Sequence, residues 1–401
     1  MKTLKKVLII ILCVLIAFLC AVLGIVIHSG TDRLNIYSSN EYYKNFTLAM
    51  EKEIKPEGIT ILDVQYGMNS NSVYFYENEG ENIIIREYLN FEASEEQLST
   101  VEKNASKLLV KGKKRNSFSV LSFGNNLDGY TEIWLPADFK AGFTVKTASG
   151  DIHFPVAEAD DISLSSTSGD ITLKQAAGKH IKASATSGNI ILGQIEGNVE
   201  IDSTSGDIRL EQAKGDVRTD STSGHVTLGR IEGTVKAEST SGDITMEQVK
   251  GAVKAESTSG DIHIMSGEGA RTINTTSGEI IINKISGSFD FDTASGNIFV
   301  AEGSGCGNAN STSGDVSISL YELADNLTIE TTSGEVALRL PKEASFALHF
   351  SSVSGECDTF FDEALSFNKK GTQADGVYGK DGSSKIMVST TSGGLRIGEL
   401  E

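Results

Sequence analysis

"STSGDITMEQVKGAVKAESTSGDI", Ser239 to Ile262, says nearly the same thing twice. The hexapeptide Ser-Thr-Ser-Gly-Asp-Ile returns after 18 residues, and its relatives recur along most of the chain. Ser-Gly pairs place glycine at 150, 169, 188, 206, 224, 242, 260, 278, 296, 314 and 334, then at 355 and 393. From Gly188 to Gly314 the interval is always 18, with a further glycine halfway at 197, 215, 233, 251, 269, 287 and 305. A fixed short period of this kind is the mark of a solenoid. Between glycines the residues alternate. Val253, Ala255 and Ser257 fall on one side and Lys254, Glu256 and Thr258 on the other; Ile244 and Met246 oppose Thr245. A period of two means strands, and nine residues are too few for a helix plus a turn. The expected fold is therefore all-β: a parallel β-solenoid with 18-residue laps, each of two short strands and two Gly corners. Glycine is expected at the corners because sharp turns often need positive φ. Ser and Thr before it can bond local backbone.

Moving outward, the 401-residue chain carries 41 Gly, 4 Pro and a net charge of -19. An acidic surface disfavours nucleic acid as a partner. Lys2, Lys5 and Lys6 precede Val7–Ile27, which has no charged side chain. That length spans ~30 Å of hydrocarbon as a helix. The one-sided lysines predict a cytoplasmic tail at 1–6, a transmembrane helix at 7–27 and an extracellular remainder. A cleaved signal is disfavoured by the length of the apolar run and the lack of an Ala-x-Ala site. Residues 28–138 read as a β-rich lead-in, with strands near Val73–Tyr76, Ile83–Tyr88 and Lys107–Lys111 and a short helix or loop within Glu92–Ser106. "EIWLPADF", Glu132–Phe139, reads as a strand ended by Pro136, and the basic run Lys111–Arg115 as a solvated turn. The solenoid is assigned to 139–401, with continuous stacking from about Thr144. At ~4.8 Å per lap, about a dozen laps make a rod on the order of 60 Å.

The residue after each Ser-Gly corner tests for a metal. It is Asp at 151, 170, 207, 243, 261 and 315, but Asn189 and Asn297, Glu279, Glu335 and Glu356, His225 and Gly394 elsewhere. A calcium ladder needs oxygen ligands in register. His and Gly break that row, so the position is assigned to turn chemistry and no metal or cofactor is expected. Catalysis needs a localised constellation of acids and bases. Here charges are spread evenly, His153, His180, His225, His263 and His349 share no lap position, and the corner serines Ser168 and Ser187 have no base nearby. No catalytic residues are assigned and the protein is expected not to be an enzyme.

The apolar N-terminus, the "WLPADF" strand and laps of "T-[SA]-G-[DNE]-[IV]-x-[LIF]" running to "TTSGGLRIGELE" together resemble the bacterial "putative adhesin" family, a domain of unknown function common in Gram-positive envelope proteins. The resemblance spans roughly residues 60–401. It implies a membrane-anchored cell-surface scaffold for an extracellular protein or a cell-wall glycan. The alternative is an accessory protein in envelope-stress sensing, and more distantly a carbohydrate-active β-helix enzyme. Two further expectations concern the C-terminal part, where Ser-Gly corners are spaced 20, 21 and 38 residues apart. Residues Phe361–Lys385 should form a hairpin or loop protruding from the C-terminal laps, as a cap or a functional excursion. Cys306 and Cys357, three corners apart, should be unpaired, because three laps exceed the reach of a disulfide.

Overall fold

In a computed structural model the described residues are 45–67, 70–115, 128–380 and 382–400. The apolar stretch 7–27 lies outside them, and among the described residues no helix is long and apolar enough to cross a membrane.

The opening lap folds as its alternation demands. Strand Ile244–Val249 lies on one face, here face B, and Val253–Ser257 on the other, face A. Ile244, Met246, Val249, Val253, Ala255 and Ser257 are buried. The consecutive exposed residues Glu247 and Gln248 bend the face B strand, which returns Val249 to the interior. Pairing is parallel and in register by one lap, so Ile244 sits between Val226 and Ile262. Like therefore stacks on like, and the inward Ile, Val, Leu and Ala columns merge into one core. Burying each large aliphatic chain is worth ~1.5–3 kcal/mol, which offsets the entropy of ordering a glycine-rich backbone.

Glycine is needed at the corners for a reason other than the expected one. None of the Ser-Gly corner glycines has positive φ; halfway, Gly197, Gly269 and Gly287 do. At each corner the backbone of one lap presses on the next. A β-carbon on Gly242 would overlap the carbonyl oxygen of Gly224, and one on Gly260 that of Gly242. The halfway position also departs from two corners per lap. Strands Ile171–Ala185, Ile190–Ser203, Ile280–Thr293 and Ile298–Ser313 run straight through it, so there the halfway glycine is a bend inside a strand.

Eleven laps follow chain order between Gly142 and Leu340. The boundary expected at 138/139 is not a break in this ladder. Ile61–Tyr66 pairs with Gly142–Thr147, and Ser72–Asn78 meets Ile152–Glu158, which adds a lap before it. Outside that lap lie Lys107–Lys111 and Gly129–Pro136, closed by the antiparallel strands Thr100–Asn104 and Ile83–Leu89. The lead-in lacks the Ser-Gly repeat because its laps are laid out of order and joined by other turns. The expected helix or loop at 92–106 is one 3-10 turn, Glu95–Gln97, followed by a strand.

The C-terminal end repeats this plan in reverse. After Val336–Leu340 the chain skips a lap position and lays Phe346–Ser352 and Cys357–Thr359. The skipped position is then filled by Ser384–Ser392, between 322–333 and 346–352, and by Leu395–Glu399, between 336–340 and 357–359. Both skips use one turn type: Phe139 N–H bonds Pro136 O and Ala344 N–H bonds Pro341 O, each at 3.0 Å. Leu365–Phe367 and Gln373–Tyr378 form a hairpin that does not protrude: its second strand pairs antiparallel with 346–352, and Ser384 and Lys385 already belong to the intercalated strand. An open strand edge invites mispairing, and antiparallel strands cover it at both ends.

Cys306 and Cys357 are unpaired and partly buried. The lap count between them needs correction. Gly393 packs on Gly334 and Gly355 on Gly393, so the intercalated lap makes four corners instead of three.

Candidate interaction surface

The corner acids act on backbone. Asp151 Oδ1 accepts from Asp170 N–H, Asp170 from Asn189, Asn189 from Asp207, and Asp207 from His225. His225 Nδ1 then accepts from Asp243 N–H at 3.3 Å, and Asp243 from Asp261. Any side chain with a short-range acceptor serves, which is why Asn and His share the position with Asp. Among the described residues no group of three or more His, Cys, Asp or Glu is placed to hold a metal ion.

The two outer faces differ in chemistry. On face A, Lys182, Glu200, Arg218, Lys236 and Lys254 stand in one mainly basic column beside Asp202, Asp220, Glu238 and Glu256 in the next. They pair locally: Lys182–Asp202 at 3.0 Å, Arg218–Asp220 at 3.0 Å, Lys236–Glu238 at 2.6 Å and Lys254–Glu256 at 2.9 Å. Hydrogen bonding from Lys236 holds the Glu238 carboxyl below its ordinary pKa. Such exposed pairs add little to stability, because solvent screens them. An open groove of about 590 Å³ runs beside the basic column, floored by Val199, Val217, Val235 and Val253.

Face B near the N-terminal end is aromatic instead. Outward residues of four neighbouring strands make a grid: Ile84, Arg86 and Tyr88; Trp134, Glu132 and Tyr130; Tyr76, Tyr74 and Ser72; then His153. Tyr88 stacks on Tyr130 at 4.7 Å, Tyr76 on Trp134 at 4.6 Å and Tyr74 on His153 at 4.8 Å, with Tyr74 edge-on to Tyr130 at 6.0 Å. Arg86 lies 5.8 Å from the Trp134 ring centroid, on the strand opposite Tyr76. Tyr76 covers one face of the indole, and the Arg86 guanidinium, ion-paired with Glu51 at 2.7 Å, stands over the ring, so the grid presents stacked rings and a paired charge. Burial lowers the His153 pKa, which keeps its ring neutral and suited to stacking.

A buried polar network holds this grid from behind. Glu87, on the same strand as Arg86 and Tyr88, points inward and is fully buried. It accepts from Arg115 Nη2 at 2.5 Å, Ser99 Oγ at 2.5 Å, Ser99 N–H at 2.9 Å and Asn71 Nδ2 at 3.2 Å. Arg115 also donates to Asn71 Oδ1 and Gln97 O. Tyr66 joins through Ser99 and Thr131, and burial with the nearby Glu87 charge raises its pKa. The reading of Lys111–Arg115 as a solvated turn fails at Arg115, whose side chain is only 1% exposed. A charge so buried is tolerable because it is paired with Glu87 and also donates to Asn71 Oδ1 and Gln97 O.

The histidines set aside in the sequence remain apart. His263 meets Asn283, His349 meets Asp375, and His180 lines the groove. No sequence signal marked the aromatic grid, although Trp134 and four tyrosines alternate along Tyr74–Tyr76, Tyr88 and Tyr130–Trp134. Only strand pairing brings them onto one face.

No curated protein matches the chain. Among solved structures it aligns with a "putative cell adhesion protein" from Clostridium sporogenes ATCC 15579, at 11% identity over 88% of this chain and 99% of that one, with a TM-score of 0.17. It also aligns with a "putative lipid binding protein" from Parabacteroides distasonis ATCC 8503, at 15% identity over 74% and 97%, with a TM-score of 0.20. Such scores are too low to carry a functional correspondence. The Toastrack family profile matches twice, over residues 66–270 and 267–397, which together take in almost all of the β-solenoid. The chain belongs to the Toastrack DUF4097 family.

Proposed function

We propose that the protein is a non-catalytic interaction scaffold of the cell surface, anchored by residues 7–27, that engages another protein through the aromatic grid on face B. The grid carries this reading. Tyr, Trp and Arg gathered on one rigid face are the side chains over-represented in binding hot spots. Their geometry favours a protein over a glycan. Sugars stack on open ring faces, whereas the rings here stack on one another, Tyr88 on Tyr130, Tyr76 on Trp134 and Tyr74 on His153. A protein partner suits both an adhesin and an accessory protein of envelope-stress signalling.

The test is a crosslinking pull-down from intact cells with the full chain. Trp134→Ala with Arg86→Ala should reduce partner recovery, each removing about 2 kcal/mol of binding if it is a hot spot. Lys236→Ala with Lys254→Ala, on the opposite face, should leave recovery unchanged. Equal recovery from all variants would refute the assignment. Fractionation tests the anchor separately: removing 7–27 should move the protein out of the membrane fraction.

A further inference from the structure

We propose that the C-terminal lap, 384–399, is exchangeable between copies, so that two chains pair by each seating this lap in the other's vacated position. Intercalation supports this. Ser384–Ser392 is paired in parallel on both sides, Ile386 between Leu327 and Leu348 and Val388 between Ile329 and Phe350. Leu395 lies likewise between Val336 and Cys357, and Ile397 between Leu338 and Thr359. Ile386, Val388, Leu395 and Ile397 are all buried. Removing this one lap would leave a position with two prepared walls, each offering a full row of strand hydrogen bonds and core contacts.

The position is selective for what can fill it. A β-carbon at 393 would overlap Gly334 O, and one at 355 would overlap Gly393 O. An occupant must therefore bring a glycine corner in register, with large aliphatic residues two and four places from its ends. A second copy of this chain brings both in its own 384–399 segment. The contacts made are the same within a copy or between copies, so exchange costs only the entropy of association. Two glycines in left-handed conformation stand just before the lap. Gly379 and Gly382 have φ of 85° and 58°, and Lys380 and Gly382 N–H donate to Ser345 Oγ at 3.1 and 3.2 Å.

The experiment uses the full chain in detergent, in a Cys306→Ala, Cys357→Ala background. Glu330 and Ser389 are exposed register partners across the wall and the lap. With both replaced, Glu330→Cys and Ser389→Cys in one chain, oxidation should close a bridge within the monomer. Failure to close it would overturn the slot itself. Two chains carrying one replacement each are then mixed, unfolded together and refolded. A disulfide-linked dimer that grows with protein concentration is the expected result, with about tenfold more bridging than for an off-register Lys369→Cys partner. Dimer yields equal to the off-register control would mean random collision, and no dimer at any concentration would mean that the lap always closes on its own chain. Either overturns the proposal.

Discussion

Arg271 stands where Val253 and Phe289 stand in the laps beside it, and it is buried. Its guanidinium occupies the place of a side chain missing at Gly267, the counterpart of Val249, and donates to Val249 O and Gly251 O at 3.0 and 2.9 Å. Burial lowers its pKa to about 10. The cost of burying the cation is therefore present at neutral pH and eases only above about pH 10. Gly267→Val alone would overlap the guanidinium and should destabilise the fold by ~1–3 kcal/mol. Arg271→Val alone leaves a void and removes the guanidinium donor from three carbonyls, those of Val249, Gly251 and Ala270. Together the two changes restore a regular lap, and thermal unfolding should find the pair more stable than either single variant and than the parent, with strong non-additivity. At the corners, Gly242→Ala should cost about 3 kcal/mol, because backbone cannot yield as a side chain can. Asp243→Ala removes one exposed acceptor and should cost only ~0.5–1.5 kcal/mol. Cys357 offers a chemical check: burial, with Asp362 and Asp358 nearby, pushes its thiol up to about 12. Native protein at pH 8 should resist alkylation there, whereas denatured protein should label at both Cys306 and Cys357.

Strands and turns carry the next level of information. Inserting one residue within Gly206–Gly260 flips the facing of a strand, and loss of the β signal in circular dichroism is the expected outcome. The capping hairpin is held to the core by an aromatic cluster: Phe361 lies 5.4 Å from Phe346, 5.0 Å from Phe360 and 4.5 Å from Tyr378. Phe361→Ala should cost ~3–5 kcal/mol and raise hydrogen exchange first in 346–352 and 373–378. Strand identity was legible in the lead-in: Val73–Tyr76, Ile83–Tyr88 and Lys107–Lys111 all lie in strands. Their partners were not. Ile83–Leu89 is antiparallel and Ser72–Asn78 parallel to the same neighbour, Gly129–Pro136. Alternation reports facing, and it is silent on direction.

For the whole molecule, exposed ion pairs on face A contribute little, and ~1 M salt should shift the melting temperature by only a few degrees. The 18-residue period settled the architecture without coordinates, since a repeat that buries one edge-to-edge core has one way to stack. It also assigned the corner acids to turn chemistry, because His225 and Gly394 interrupt the row of oxygen ligands that a calcium ladder needs. Lap order at the ends was decided only in three dimensions. The turns at Pro136 and Pro341 each carry the chain past one position, and nothing local says which distant segment fills the gap. The same holds for Arg115 and for the aromatic grid. A buried ion pair and a shared face are properties of strands brought side by side, and long-range pairing leaves no periodic trace in the residues that make it.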